Sequence, residues 1–144
     1  MMLANYAEVS NGLLYISGGA WDTVTVSGPP PDGARADIVA VVQGTLVARL
    51  SFHPTELGSR YPMRVTIVEL DGGEIANIEG DVVAVRQEHD SAPPTWDHGV
   101  TVIMPLNGLP LPTIGDYRIH FNLNREHKGD LPFRVVQALS SPED

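Results

Sequence analysis

Among the five histidines, two stand beside an aspartate: His89-Asp90 and Asp97-His98 flank the segment 91–96. If that segment closes a hairpin, two imidazoles and two carboxylates meet at its base. Such a set suits zinc or another first-row divalent ion. The spacing fixes no outer shell around the ligands, and Pro93-Pro94 lies in the same stretch, so a polar surface loop is the simpler reading. His53 and Glu56 are three residues apart, a pairing capable of acid–base work. A strand-end histidine beside a helical turn explains them as well. Asp71 and Glu74 bracket Gly72-Gly73; the D-x-D-x-D-G calcium pattern is missing, and a tight turn accounts for both carboxylates.

Two tryptophans raise a different chemistry. Trp21 falls in phase with Thr23 and Thr25 on a polar face, and Trp96 sits in the proline-bearing loop. An exposed pair would stack on sugar rings; alternatively each indole covers an open end of the fold, since its large apolar area seeks burial. Arg118, His120, Asn122 and Asn124, with Arg134, form a polar, locally basic strip in an acidic chain. This is either a recognition surface or simply a solvated strand face.

Other chemistries are excluded more firmly. The chain has no cysteine, so thiol catalysis, thiolate metal sites and disulfides are out. It carries no G-x-S-x-G, Walker loop, G-x-G-x-x-G or H-E-x-x-H. The formal charge of −9 repels a phosphate backbone, and no basic run offsets it, so nucleic acid is not an expected partner. No apolar run approaches a membrane span, and the first residues lack a basic and apolar leader pattern. These features predict a cytoplasmic protein with no cofactor, working as a non-catalytic binding or assembly module. The competing readings are a metal-dependent enzyme on the 89–98 loop and a carbohydrate-binding module on Trp21 and Trp96.

The elements that must position these residues read as strands. The 144 residues suit one domain, expected over 1–139, with a frayed tail at 140–144. Tyr117, Ile119, Phe121 and Leu123 alternate with polar residues. A polar turn over 125–130 follows, then Leu131, Phe133 and Val135, which together make a C-terminal hairpin. Ser10-Asn11-Gly12 and Asp71-Gly72-Gly73-Glu74 mark two more hairpins. From 38 to 52 the even positions are apolar with Gly44 in phase. One straight strand there would run roughly 50 Å, so a bend at Gly44 is expected, carrying the chain from one sheet to another. Pro54–Gly58 allows one helical turn. The prediction is an all-β, two-sheet antiparallel β-sandwich of eight or nine strands, immunoglobulin-like or jelly-roll-like. Its inner face should hold Ile16, Val24, Val26, Leu50, Phe52, Val65, Ile67, Val102, Tyr117, Ile119, Phe121 and Phe133.

Three stretches resemble a family of small bacterial proteins of unknown function, DUF6941. The first runs from Ala4-Asn5-Tyr6-Ala7-Glu8-Val9 through Gly12-Leu13-Leu14-Tyr15-Ile16-Ser17-Gly18-Gly19-Ala20-Trp21-Asp22. The second runs from Arg49-Leu50-Ser51-Phe52 through Glu56-Leu57-Gly58 to Val65-Thr66-Ile67-Val68-Glu69-Leu70-Asp71-Gly72. The third joins Leu111-Pro112-Thr113-Ile114-Gly115-Asp116-Tyr117 to Leu131-Pro132-Phe133-Arg134-Val135. The resemblance implies a bacterial origin and a β-rich fold. It transfers no activity and no catalytic residue.

Some segments fail to alternate, which points to self-association. Val39, Val41 and Val47 oppose the even-numbered apolar run, Val83 and Val85 oppose Val82 and Ala84, and Ile103 opposes Val102 and Met104. Side by side, these segments would form one β-branched patch of the kind that marks a contact. A second copy of the chain, or another protein, is the expected cover; the loop 28–37 is the alternative. Far-UV circular dichroism checks the fold: the expected spectrum is that of strands, and helix above about a quarter would refute it.

Overall fold

Asn11 and Gly12 both sit at positive φ, the signature of a type I′ turn, and they join β1 (Met2–Ser10) to β2 (Leu13–Trp21). In this computed structural model, residues 1–26, 39–85, 93 and 95–138 are described. The second hairpin joins β6 (Arg60–Glu69) to β7 (Glu74–Val83). Its turn is held by Gly72 at positive φ, by the Gly73 amide donating to Asp71 Oδ1 at 2.8 Å, and by the Glu69 amide donating to the Gly73 carbonyl at 2.8 Å. The third joins β10 (Gly115–Leu123) to β11 (Glu126–Gln137). Its turn is Asn124-Arg125, both at positive φ, so the reversal is tighter than the polar stretch 125–130 suggests.

The other described strands are β3 (Thr23–Val26), β4 (Ala40–Val41), β5 (Thr45–Phe52), β8 (His98–Pro105) and β9 (Pro110–Leu111). They assemble into three sheets, ordered β2-β1-β5-β8, β3-β11-β10-β6-β7 and β4-β9. The two-residue pair β4-β9 takes the described count to eleven, beyond the eight or nine expected. One ladder also breaks the antiparallel rule: β3 runs parallel to β11, with Thr23 opposite Arg134 and Val26 opposite Gln137. The fold is all-β apart from a 3-10 turn at Pro54–Glu56, where one helical turn was expected. His53 caps that turn: Thr55 N donates to its Nδ1 at 3.2 Å, and His53 N donates to Glu56 Oε1 at 2.7 Å. Both side chains of the supposed acid–base pair are thereby structural.

The main core draws Leu46, Ala48 and Phe52 from the four-stranded sheet, Val65, Ile67, Ile119, Phe121 and Phe133 from the five-stranded one, and Leu111 from the pair. Val24, Val26, Leu50 and Val102 pack against it half-buried. Ile16 is a correction to the expected inner face, because it is exposed. β5 pairs with β1 only across Met2–Ala4, while the β1–β2 ladder runs on to Ser10 and Leu13. The outer half of that hairpin therefore leaves the sheet and carries Ile16 with it. The bulge that permits this lies between Leu3 and Ala4, opposite Ala20, which is held at positive φ.

The bend expected at Gly44 is present, between β4 and β5 and so between two sheets. It is a site of close approach. A β-carbon there would lie 2.7 Å from both the Ala4 carbonyl oxygen and Trp21 Cζ2. The Gly44 amide donates to Asn107 Oδ1 at 2.6 Å, and its carbonyl accepts from Leu106 N at 2.9 Å. Gly44→Ala is expected to destabilise the protein by about 1–3 kcal/mol, the usual penalty for overpacking. Urea unfolding with an unchanged m-value checks this; a neutral substitution would show that the junction yields freely.

Candidate functional site: a histidine–aspartate cluster on the five-stranded sheet

Successive side chains of a strand point to opposite faces, so Tyr117, Ile119 and Phe121 of β10 enter the core while Arg118, His120 and Asn122 face outward. Register then decides their neighbours. Asp116 lies opposite Arg134, Arg118 opposite Pro132 and His120 opposite Asp130. Next, Phe121 pairs with Gly129 but Asn122 pairs with His127, so Lys128 is an extra residue in β11. In a regular strand His127 and Asp130, three apart, would take opposite faces. The bulge at Lys128 absorbs one step and brings both to the outer face beside His120.

The result is compact. His120 Nδ1 lies 2.5 Å from Asp130 Oδ1, and His127 Nε2 lies 3.2 Å from the same oxygen. The two rings meet edge to face with centroids 5.8 Å apart. Arg118 Nη1 lies 3.6 Å from the other carboxylate oxygen, Oδ2. Partial burial pushes the Asp130 carboxyl up. The hydrogen bond from His120 outweighs that, together with the charges of His120, His127 and Arg118, and its pKa lies below the ordinary aspartate value. A groove of about 450 Å³ opens beside the cluster, lined by Asp22, Glu69, Asp116, Arg118, His120 and Arg134 among others. Two imidazoles and a carboxylate at these separations can bind a cation or hold an anionic or hydrogen-bonding group.

A family model described as a family of unknown function, DUF6941, matches residues 1–136. The chain belongs to that family. No curated protein and no solved structure matches this DUF6941 chain. The membership brings no assigned activity, so the site rests on its own geometry.

The structure sorts the sequence-derived candidates. Arg118, His120, Asn122 and Arg134 do share the outer face, and Arg134 Nε donates to Thr23 Oγ1 at 3.3 Å. Of the supposed metal set, His98 is buried at the start of β8 opposite Phe52, Asp97 is exposed, and His89 and Asp90 lie outside the described residues. So does the tail 140–144.

Trp21 is half-buried against the core and Gly44, and its indole Nε1 is buried without a hydrogen-bond partner. Trp96 is exposed, near the Phe52 end of β5, while Trp21 lies near the Leu46 end. Six residues of strand put roughly 20 Å between the two ends, too far to flank one ring.

The proposed β-branched patch is also corrected. Val39 and Val41 lie at the β4–β9 pair, Val83 on β7 and Ile103 on β8, each in a different sheet, with Val85 just beyond β7. Val47 is buried and Ile103 half-buried because the chain's own Met2, Ala4, Ala7 and Leu14 pack there. The cover is the first hairpin, and the loop 28–37 lies outside the described residues.

His127 and Asp130 are the members that sequence reasoning left in a turn. Their ion pairs are largely exposed, and such pairs contribute little to stability. Asp130→Asn, unfolded by urea in the presence of a chelator, is expected to lose less than about 1 kcal/mol. A loss above about 3 kcal/mol would instead mark a structural, desolvated pair.

Proposed function

We propose that this DUF6941 chain is a non-catalytic module that works by association, and that the edge strand β2 is its contact. The observation that carries this is the composition of that edge. Sheet edges expose unpaired N–H and C=O groups, and proteins normally guard them with charge, proline or bulges. β2 stands at the end of its sheet, and Leu13–Trp21 contains no charged residue and no proline. The bulge at Ala20 guards only its last residues, leaving 13–17 regular and open.

Side chains reinforce the edge. Tyr6, Leu13 and Tyr15 are 57%, 60% and 51% exposed on the first hairpin. Tyr15 sits opposite Glu8, which accepts the Tyr6 hydroxyl at 3.1 Å and is the hairpin's only charge. A net charge of −9 opposes pairing of two copies, but almost none of it lies here. An isologous contact, β2 against β2 of a second copy, would join the two first hairpins edge to edge.

The scaffold behind this contact reads as a two-sheet sandwich around the shared core. The Tyr117 hydroxyl donates to the Thr113 carbonyl at 2.6 Å and accepts from the Thr113 amide at 3.0 Å. This matches the tyrosine corner of immunoglobulin-like sandwiches and supports that form over a jelly roll. No helix among the described residues is long and apolar enough to cross a membrane.

Light scattering after size exclusion tests the association. The expected mass is twice 15.5 kDa, falling to one chain in Tyr15→Asp and Leu13→Lys with the melting temperature retained. A monomer at every concentration, or a dimer indifferent to both substitutions, overturns the reading.

A further inference from the structure

We propose that His120, His127 and Asp130 bind a first-row divalent cation, for which zinc is the reference ion. One ligand atom from each residue lies within 4.8 Å of the others. Zinc bonds of 2.0–2.1 Å in a tetrahedron place neighbouring ligand atoms about 3.4 Å apart. The present separations from Asp130 Oδ1, 2.5 Å to His120 and 3.2 Å to His127, both fall short of that spacing, so an ion entering the set must move the carboxylate oxygen away from the two nitrogens. Side-chain rotation alone completes the site, since His127 and Asp130 are exposed and His120 is half-buried.

Three features give the set its chemistry. Two neutral imidazoles select zinc, copper or nickel over magnesium and calcium, which prefer oxygen. Arg118 approaches Oδ2 and leaves Oδ1 to the histidines, so it orients the carboxylate as an outer-shell partner does. Its charge counts against a cation, but the guanidinium is more than half exposed and water screens it. Protein ligands number three, so a fourth position stays open to water or to an anionic group in the adjoining groove. The hairpin that holds the cluster is continuous backbone of the five-stranded sheet, and a bulge is a stable device for aiming a side chain.

This site lies on a different sheet from β2, so it stands or falls apart from the association reading. Calorimetric titration of untagged, chelator-stripped protein with zinc chloride tests it. The expected result is one site per chain, weakened at least tenfold in His127→Ala and again in Asp130→Asn. Asp81→Asn, a surface acid that pairs with Arg60 elsewhere, should bind as the wild type does. Zinc should also raise the melting temperature of the wild type and not of His127→Ala, which reports on folded protein in every variant. No binding at millimolar zinc overturns the proposal. So does equal binding by His127→Ala, or magnesium binding as strong as zinc, which would indicate attraction to exposed carboxylates alone.

Discussion

The close approach of backbone and ring at Gly44 fixes the passage of the chain from the two-stranded pair into the four-stranded sheet. Ala4 of β1 and Trp21 at the end of β2 press on this residue from one side, and Asn107 reaches it from the segment between β8 and β9. The neighbouring bonds from Gly108 N to the Val42 carbonyl and from Leu106 N to the Gly44 carbonyl tie the segment between β8 and β9 to the one between β4 and β5. From this point β5 runs straight through its sheet, sending Leu46, Ala48 and Phe52 into the core that β6, β10 and β11 complete. The outer face of β10 is free for polar chemistry only because its inner face is so fully committed: Ile119 is 0% exposed, and Tyr117 and Phe121 are 2% exposed.

Much of this was legible in the residues. Alternation marks β10 and β6, and Asn11-Gly12 and Gly72-Gly73 mark two reversals, because these signals are local and arise from backbone sterics. The bend followed from length, since a strand of 15 residues outruns a small domain, and the glycine in phase at 44 gave its place. What failed depended on partners distant in the chain. Ile16 alternates as a core residue should, but its hairpin leaves the sheet at a bulge that no local pattern announces. Trp21 looked polar-facing by its phase with Thr23 and Thr25, but β2 ends at Trp21 and β3 begins at Thr23 in another sheet, so the alternation does not carry across Asp22.

The candidate site shows the same division. His120 was visible on a polar strip, because that strip is plain alternation along one strand. His127 and Asp130 were not, because their meeting depends on an extra residue at Lys128. A one-residue offset moves every side chain beyond it to the other face. Sequence spacing of three on a strand argues against a shared face, and only the register reveals the exception. The valine patch erred for a related reason: 39–41, 83–85 and 103 are similar in composition, but pairing distributes them among three sheets.

The parallel ladder of β3 with β11 bears on how the chain is made. The three hairpins each close over a short loop and can form as soon as their residues exist, whereas β3 must wait for a strand 111 residues further on, the separation between Thr23 and Arg134. Closing so long a loop is slow, and synthesis adds only roughly 5–20 residues per second. For several seconds Val24 and Val26 therefore lack the strand they pair with in the finished sheet. A strand made late thus completes the pairing of one made early.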